Sequence, residues 1–369
     1  MESPPVPVYG SSSLADLAGS VLAALGVRGE ADTLGLPELP RACVLLVDGL
    51  GWEQLREHAE LAPFLSSLAG RPLTAGFPAT TVASLASMGT GRPPGGHGMF
   101  GYQMALPDKG RLLNCLRWDR ESDPLVIQPG STVYERAAAA GIEVSYVAAR
   151  MFKNSGFSRA TLRGADYAPA DALGQAVAQA EVRLRAGERT HVTVYHPDLD
   201  ATGHLWGAGS AAWRHQLRFV DALAERIAAV LPPGTAFHVT ADHGMTNPDE
   251  RVDVDALPAL REGVALLGGE PRARHVYAEP GAADDVLAAW RSLLGDRAWV
   301  VSREEAVAAG WFGAVEPGFL PRIGDVLAVP HADLAIVATK AEPTESTLVG
   351  MHGSMVPAEQ LVPLLTHVA

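Results

Sequence analysis

The stretch Arg41-Ala42-Cys43-Val44-Leu45-Leu46-Val47-Asp48-Gly49 reads as a buried β-strand that ends on a carboxylate and a glycine. An apolar run without alternation is what a strand covered on both faces requires. Two later stretches repeat the arrangement. Val192-Thr193-Val194-Tyr195 is followed by Asp200 and His204, and His238-Val239-Thr240 is followed by Asp242 and His243. A further strand is expected at 143–148. Helices are expected at 132–140 (ended by Gly141), at 171–185, and at 211–231 before Pro232-Pro233. This alternation predicts an α/β fold with a mainly parallel central sheet and helices on both faces. Sites in such sheets lie beyond the carboxyl ends of the strands, where Asp48, Asp200 and Asp242 all fall.

Outward from these strands, residues 1–40 form a Pro- and Gly-punctuated packing segment with a helix at 14–25. A helix is expected over 53–69 with a break near Pro63, and another from Thr81 to Met88. Residues 102–105 and 111–116 read as a hairpin turned by Asp108-Lys109-Gly110. From about 250 the pattern shifts to short strands (264–267, 275–278, 299–301) around a helix at 282–294, then a Gly- and Pro-rich stretch at 310–321. We therefore expect a small α/β cap lobe, 251–324, inserted into a core made of 41–250 and 325–369. Strands at 325–329 and 334–338 lead back toward His352.

Composition narrows the class. Of 369 residues, 47% are hydrophobic and 19% charged, enough for a large core. The net charge of −13 argues against a nucleic-acid polymer as partner, since that contact needs a basic surface. Small phosphate esters remain compatible, because bound cations dominate a local field. Cys43 and Cys115 give neither a disulfide framework nor zinc-finger spacing. No apolar run approaches membrane-spanning length and no leader is visible, so the expectation is a cytoplasmic chain with no membrane contact. The oligomeric state is left open.

Each ligand-type residue has an ordinary reading when taken alone. Asp48-Gly49 fits a turn, Asp242-His243-Gly244 a helix cap, and Asp200-Ala201-Thr202-Gly203-His204 a capped turn. Asp200 and His204 also share one face if that segment is helical. His352 stands in Gly350-Met351-His352-Gly353. Together, three aspartates and three histidines at strand ends suit two divalent ions, zinc first and manganese second. Thr80 and Thr81 offer hydroxyls at a helix N-terminus, which favours phosphate.

The ordered set Asp48-Gly49, Thr81, Thr90-Gly91-Arg92-Pro93-Pro94 with His97-Gly98, Tyr195 with Asp200 and Gly203-His204, Asp242-His243-Gly244-Met245, and His352-Gly353 resembles the type I phosphodiesterase/nucleotide pyrophosphatase family of the alkaline phosphatase superfamily. The resemblance implies an alkaline phosphatase-like core and hydrolysis of phosphodiesters or nucleotide pyrophosphates through a phospho-threonine. It implies one metal held by Asp48, Asp242 and His243 and a second by Asp200, His204 and His352. The nucleophile of the family falls nine positions before Thr90, on Thr81 in preference to Thr80. Asp200 is preferred to Asp198 by its spacing from Gly203-His204, and His97 and His196 are not ligands. Where the family carries an Asn that bonds a phosphate oxygen, this chain has Tyr102, so that either its hydroxyl supplies the hydrogen bond or the group is absent. A phosphomonoesterase, a phosphonate hydrolase and a non-catalytic metal- or phosphate-binding relic stay open beside the phosphodiesterase.

Overall fold

The computed structural model describes residues 4–369. Its seven-stranded sheet runs, in spatial order, Ala69–Thr74, Leu361–Val368, Thr235–Ala241, Arg41–Val47, Thr190–His196, Glu143–Ala148 and Asp166–Pro169. The Arg41–Val47 strand lies between two parallel neighbours, with Val47 level with His196 on one side and Ala241 on the other. Six of its seven residues are buried, as expected for a strand covered on both faces. Because the three strands end level, Asp48, Asp242 and the helix that carries Asp200 leave the sheet at one edge.

Leu173–Leu184 packs on Ala211–Val230, and Leu14–Ala24, Thr81–Thr90 and Val133–Ala139 pack on one another. Local chemistry sets several of these boundaries. Thr132 and Glu135 form a reciprocal capping box, and the Ser210 hydroxyl accepts from the Trp213 N–H. The Gln103–Leu106 and Arg111–Asn114 strands pair antiparallel, as the Asp-Lys-Gly turn implied.

Several elements differ from expectation, and three of them shape the two sheets. Helix 53–69 resolves into Trp52–Glu57, a 3-10 turn at Ala59–Leu61 and Pro63–Ser67, after which the chain enters the edge strand Ala69–Thr74. Leu361–Val368 is a strand that the sequence analysis does not assign, and Pro363 interrupts its apolar run. The structure sets Pro363 opposite Pro72, so two residues without N–H donors share one rung and the ladder continues around them. Val326–Pro330 was assigned to the core side. It pairs instead with Ala273–Ala278 and Ala298–Ser302 in a four-stranded sheet that also includes Val264–Glu270.

The smaller sheet is tied to the core by buried ion pairs. Arg272 Nε donates to Glu359 Oε1 at 2.9 Å, and the two residues are 1% and 0% exposed. Glu359 in turn accepts from the Thr246 hydroxyl at 2.9 Å and the Ser354 N–H at 2.7 Å. One carboxylate thus holds the loop after His243, the loop after His352 and the turn of the smaller sheet together. Removing one partner of such a pair leaves an uncompensated buried charge. Arg272→Ala is expected to lower unfolding stability by about 3–5 kcal/mol in a denaturant titration. A loss below about 1 kcal/mol would show that the pair does not hold the two sheets together.

Candidate active site

The six ligand-type residues converge. Asp48, Asp242 and His243 offer ligand atoms within 4.8 Å of one another, and so do Asp200, His243 and His352. His243 therefore stands between the two groups, its ring stacked on that of His352 with centroids 3.5 Å apart. The expected second set had His204 in this place. His204 lies beside the group, its Nε2 3.2 Å from Asp200 Oδ2 and its ring 5.1 Å from that of His352. Asp200 and His204 share a face because Asp198–Trp206 is helical, as their spacing required. Asp198 points to solvent, and His196 is turned to Gln216 at 3.2 Å.

The ring tautomers fit metal binding. His204 Nδ1 donates to Gly350 O at 2.8 Å, His243 Nδ1 to Gly244 O at 2.9 Å, and His352 Nδ1 to Ala79 O at 3.0 Å. A carbonyl oxygen only accepts, so each Nδ1 carries the hydrogen. Each Nε2 is left toward the carboxylates, the arrangement found where a backbone carbonyl orients a ligating imidazole. The carboxylates fit as well. Asp48 Oδ1, Asp200 Oδ1 and Asp242 Oδ2 are buried without a hydrogen-bond partner. Unpartnered buried oxygens of this kind are costly unless a cation or a proton meets them.

The electrostatics agree. Burial, then the Asp48 carboxylate, holds the Asp242 carboxyl well above its ordinary range. Burial opposes charging the His243 ring, yet the Asp242 and Asp48 carboxylates carry it up to about 10. For Asp200, burial acts upward but the adjacent His204 ring prevails and holds the carboxyl low. Burial and then the His243 ring push His352 well down. The upward shifts of Asp242 and His243 favour protons on both groups when no cation is bound.

Gly49 makes the close packing possible. It adopts φ +75°, a conformation L side chains rarely accept, and a Cβ there would lie 2.9 Å from the Asp200 Cα. Its N–H donates to Asp242 Oδ1 at 3.0 Å.

Thr81 opens the Thr81–Thr90 helix, and its hydroxyl lies 3.2 Å from His243 Nε2. Thr80 is turned the other way, donating to Glu270 Oε2 at 2.7 Å. His97 is buried between the Ser87 hydroxyl and the Met99 N–H, away from the cluster. Tyr102 lines the cavity, but its hydroxyl donates to Glu345 Oε1 at 3.0 Å. That donor is already engaged.

Beside Thr81 lies a cavity of about 480 Å³, bordered by Asp48, Asp200, His204 and His352. Two neighbours escaped the sequence reading. The Tyr195 hydroxyl donates to Asp48 Oδ2, and Glu270 reaches the cavity from the smaller sheet. Tyr195 stood in the motif without a role; an alternating position at a strand end was its only signal. Glu270 had none, because it meets the site only through tertiary packing.

A profile of the type I phosphodiesterase / nucleotide pyrophosphatase family matches residues 42–355. A search of curated proteins by sequence returned no match. Among solved structures, murine ectonucleotide pyrophosphatase/phosphodiesterase 5 aligns at TM-score 0.69 and 19% identity over 89% of this chain and 88% of that one. An inactive variant of the murine protein in complex with AMP aligns at 0.68 and 18%, over 89% and 87%. Phosphonoacetate hydrolase from Sinorhizobium meliloti, in complex with phosphonoformate, aligns at 0.66 and 20%, over 90% and 91%. Among the described residues no helix is long and apolar enough to cross a membrane.

A cation entering the Asp48–Asp242–His243 group must displace the proton on His243, which is retained up to about pH 10. The sign follows: raising the pH favours the metal. Apparent zinc affinity is expected to rise about ten-fold per pH unit for each proton displaced, between pH 6 and 8. Calorimetry in buffers of different ionisation enthalpy counts the protons released. Affinity independent of pH would remove His243 from the ligand set.

Proposed function

This chain belongs to the type I phosphodiesterase / nucleotide pyrophosphatase family, and on that premise we propose that it hydrolyses phosphodiesters or nucleotide pyrophosphates through a phospho-threonine on Thr81. The observation that carries the reading is the Thr81 hydroxyl at a helix N-terminus, 3.2 Å from His243 Nε2 at the junction of the two acid–imidazole groups. Asp48, Asp242 and His243 would hold one divalent ion, and Asp200, His352 and the adjacent His204 a second. Two such ions, of the zinc class, would supply Lewis-acid charge neutralisation at the phosphoryl group and favour ionisation of a bound hydroxyl.

Residues of the chain do the rest. The Thr81 oxygen attacks phosphorus in line, forming an Oγ–P bond as the bond to the leaving alkoxide or phosphate breaks. Unpaired N–H groups in the first turn of the Thr81–Thr90 helix face the negative phosphoryl oxygens, and the helix dipole has the favourable sign. Glu270 draws the Thr80 hydroxyl aside, so Thr81 alone presents its oxygen to the cluster. The Tyr195 hydroxyl bond to Asp48 fixes that carboxylate for ligation. Water then attacks phosphorus on the opposite side from Thr81, releasing the product and restoring the hydroxyl. Two inversions give net retention.

Phosphonate hydrolysis is the second reading, favoured by the fold shared with phosphonoacetate hydrolase. Turnover of a chromogenic phosphodiester beside its monoester, with zinc or manganese supplied, tests the choice. Thr81→Ala is expected to lower kcat by at least about 10³-fold while retaining bound metal, since nucleophile and charge stabilisation are separate contributions. Substantial turnover in that variant, or wild-type activity unaffected by exhaustive chelation, would defeat the mechanism.

A further inference from the structure

The cavity beside Thr81 has two unlike walls. Leu85, Met151, Phe152, Phe157 and Leu162 give it an apolar side. Glu270, Glu342 and Glu345 stand in the other, and among the described residues that line it none is Lys or Arg. Lys153 follows Phe152 in the chain but stays exposed outside the lining.

The three glutamates are not equivalent. Glu342 is held by Arg274 through two bonds of 3.0 and 2.7 Å, so its charge is matched. Glu345 is partly buried and accepts the Tyr102 hydroxyl. Glu270 is 6% exposed, and its Oε1 has no hydrogen-bond partner. Its one side-chain partner is the Thr80 hydroxyl on Oε2, and Thr80 immediately precedes Thr81. Packing therefore presses a buried carboxyl, which makes no ion pair among the described residues and feels His243 and Arg274 only at a distance, against the segment where a phosphoryl group would sit.

We infer that Glu270 sets the charge of the substrate: the cavity takes a monoanionic phosphodiester whose ester groups carry no further negative charge, and it discriminates against dianionic monoesters, nucleotide pyrophosphates and esters with an anionic arm. This inference rests on reading the site as that of a phosphodiester hydrolase. Its physical basis is Coulomb repulsion by a buried carboxylate, beside which one further charge on the substrate counts for more than in bulk water. The apolar wall suits an uncharged arm, and the described lining residues offer no Lys or Arg to pair with an anionic one.

The test uses two diesters that differ by one charge, bis(p-nitrophenyl) phosphate and p-nitrophenyl 4-carboxyphenyl phosphate. The pH is 8, above the value of about 7 to which burial raises Glu270. Wild-type kcat/KM is expected to favour the neutral arm by about ten-fold or more, the size of one added repulsion at intermediate dielectric. Glu270→Gln should shrink that preference to within about three-fold, whereas Glu270→Asp, which keeps the charge, should retain it. The same pair is compared by calorimetric Kd on the Thr81→Ala protein, where binding is read without turnover. Equal kcat/KM or equal Kd for the two diesters overturns the inference, whether or not the Gln variant folds. An undiminished preference in folded Glu270→Gln removes Glu270 as its cause. If the wild type turns over neither diester, the phosphodiester reading fails, and the Kd comparison still decides the charge preference.

Discussion

The arrangement depends on negative charge crowded at one edge of a parallel sheet. The three central strands end level, so the backbone delivers Asp48 and Asp242 side by side, and the following helix brings Asp200 to meet them. Carboxylates taken out of water at this spacing are unfavourable unless something positive lies between them. In the protein alone the imidazoles of His204 and His243 lie against these carboxylates. Much of the surrounding architecture serves to hold this charge in place.

The supports are mostly backbone groups. Three carbonyls, from Ala79, Gly244 and Gly350, each take one Nδ1 hydrogen and so orient a histidine. Two of them belong to loops that Glu359 binds through Thr246 and Ser354, and Glu359 is itself neutralised by Arg272 from the smaller sheet. The second sheet is thus part of the foundation of the site as well as one wall of its cavity. Contacts of this kind convert a set of ligands into a fixed geometry, which phosphoryl transfer demands because positioning and charge stabilisation supply most of its acceleration.

The same sheet supplies what distinguishes the cavity. Glu270 sits at the end of its first strand and reaches Thr80 across a distance of 190 residues in sequence. A cluster of ligands common to a family leaves the choice of substrate to the groups around it. Here those groups are an apolar wall from the 151–162 segment and a carboxylate wall from the smaller sheet and the 342–345 loop.

The sequence by itself determined the parallel core and the gathering of the ligand-type residues at its edge. Both follow from short-range rules: unbroken apolar runs make buried strands, and residues just past such strands share one edge. The helical spacing of Asp200 and His204 was legible for the same reason. Pro363 leaves the Leu361–Val368 strand open in the sequence, because whether a proline fits a ladder depends on what lies opposite, and only pairing with Pro72 decided that. Pairing likewise set Val326–Pro330 in the smaller sheet. The position of His243 between the two ligand groups, the turn of Thr80 away from the cluster and the approach of Glu270 were also decided by tertiary structure. Each depends on where a side chain ends in three dimensions, and packing between segments distant in sequence fixes that while periodicity does not.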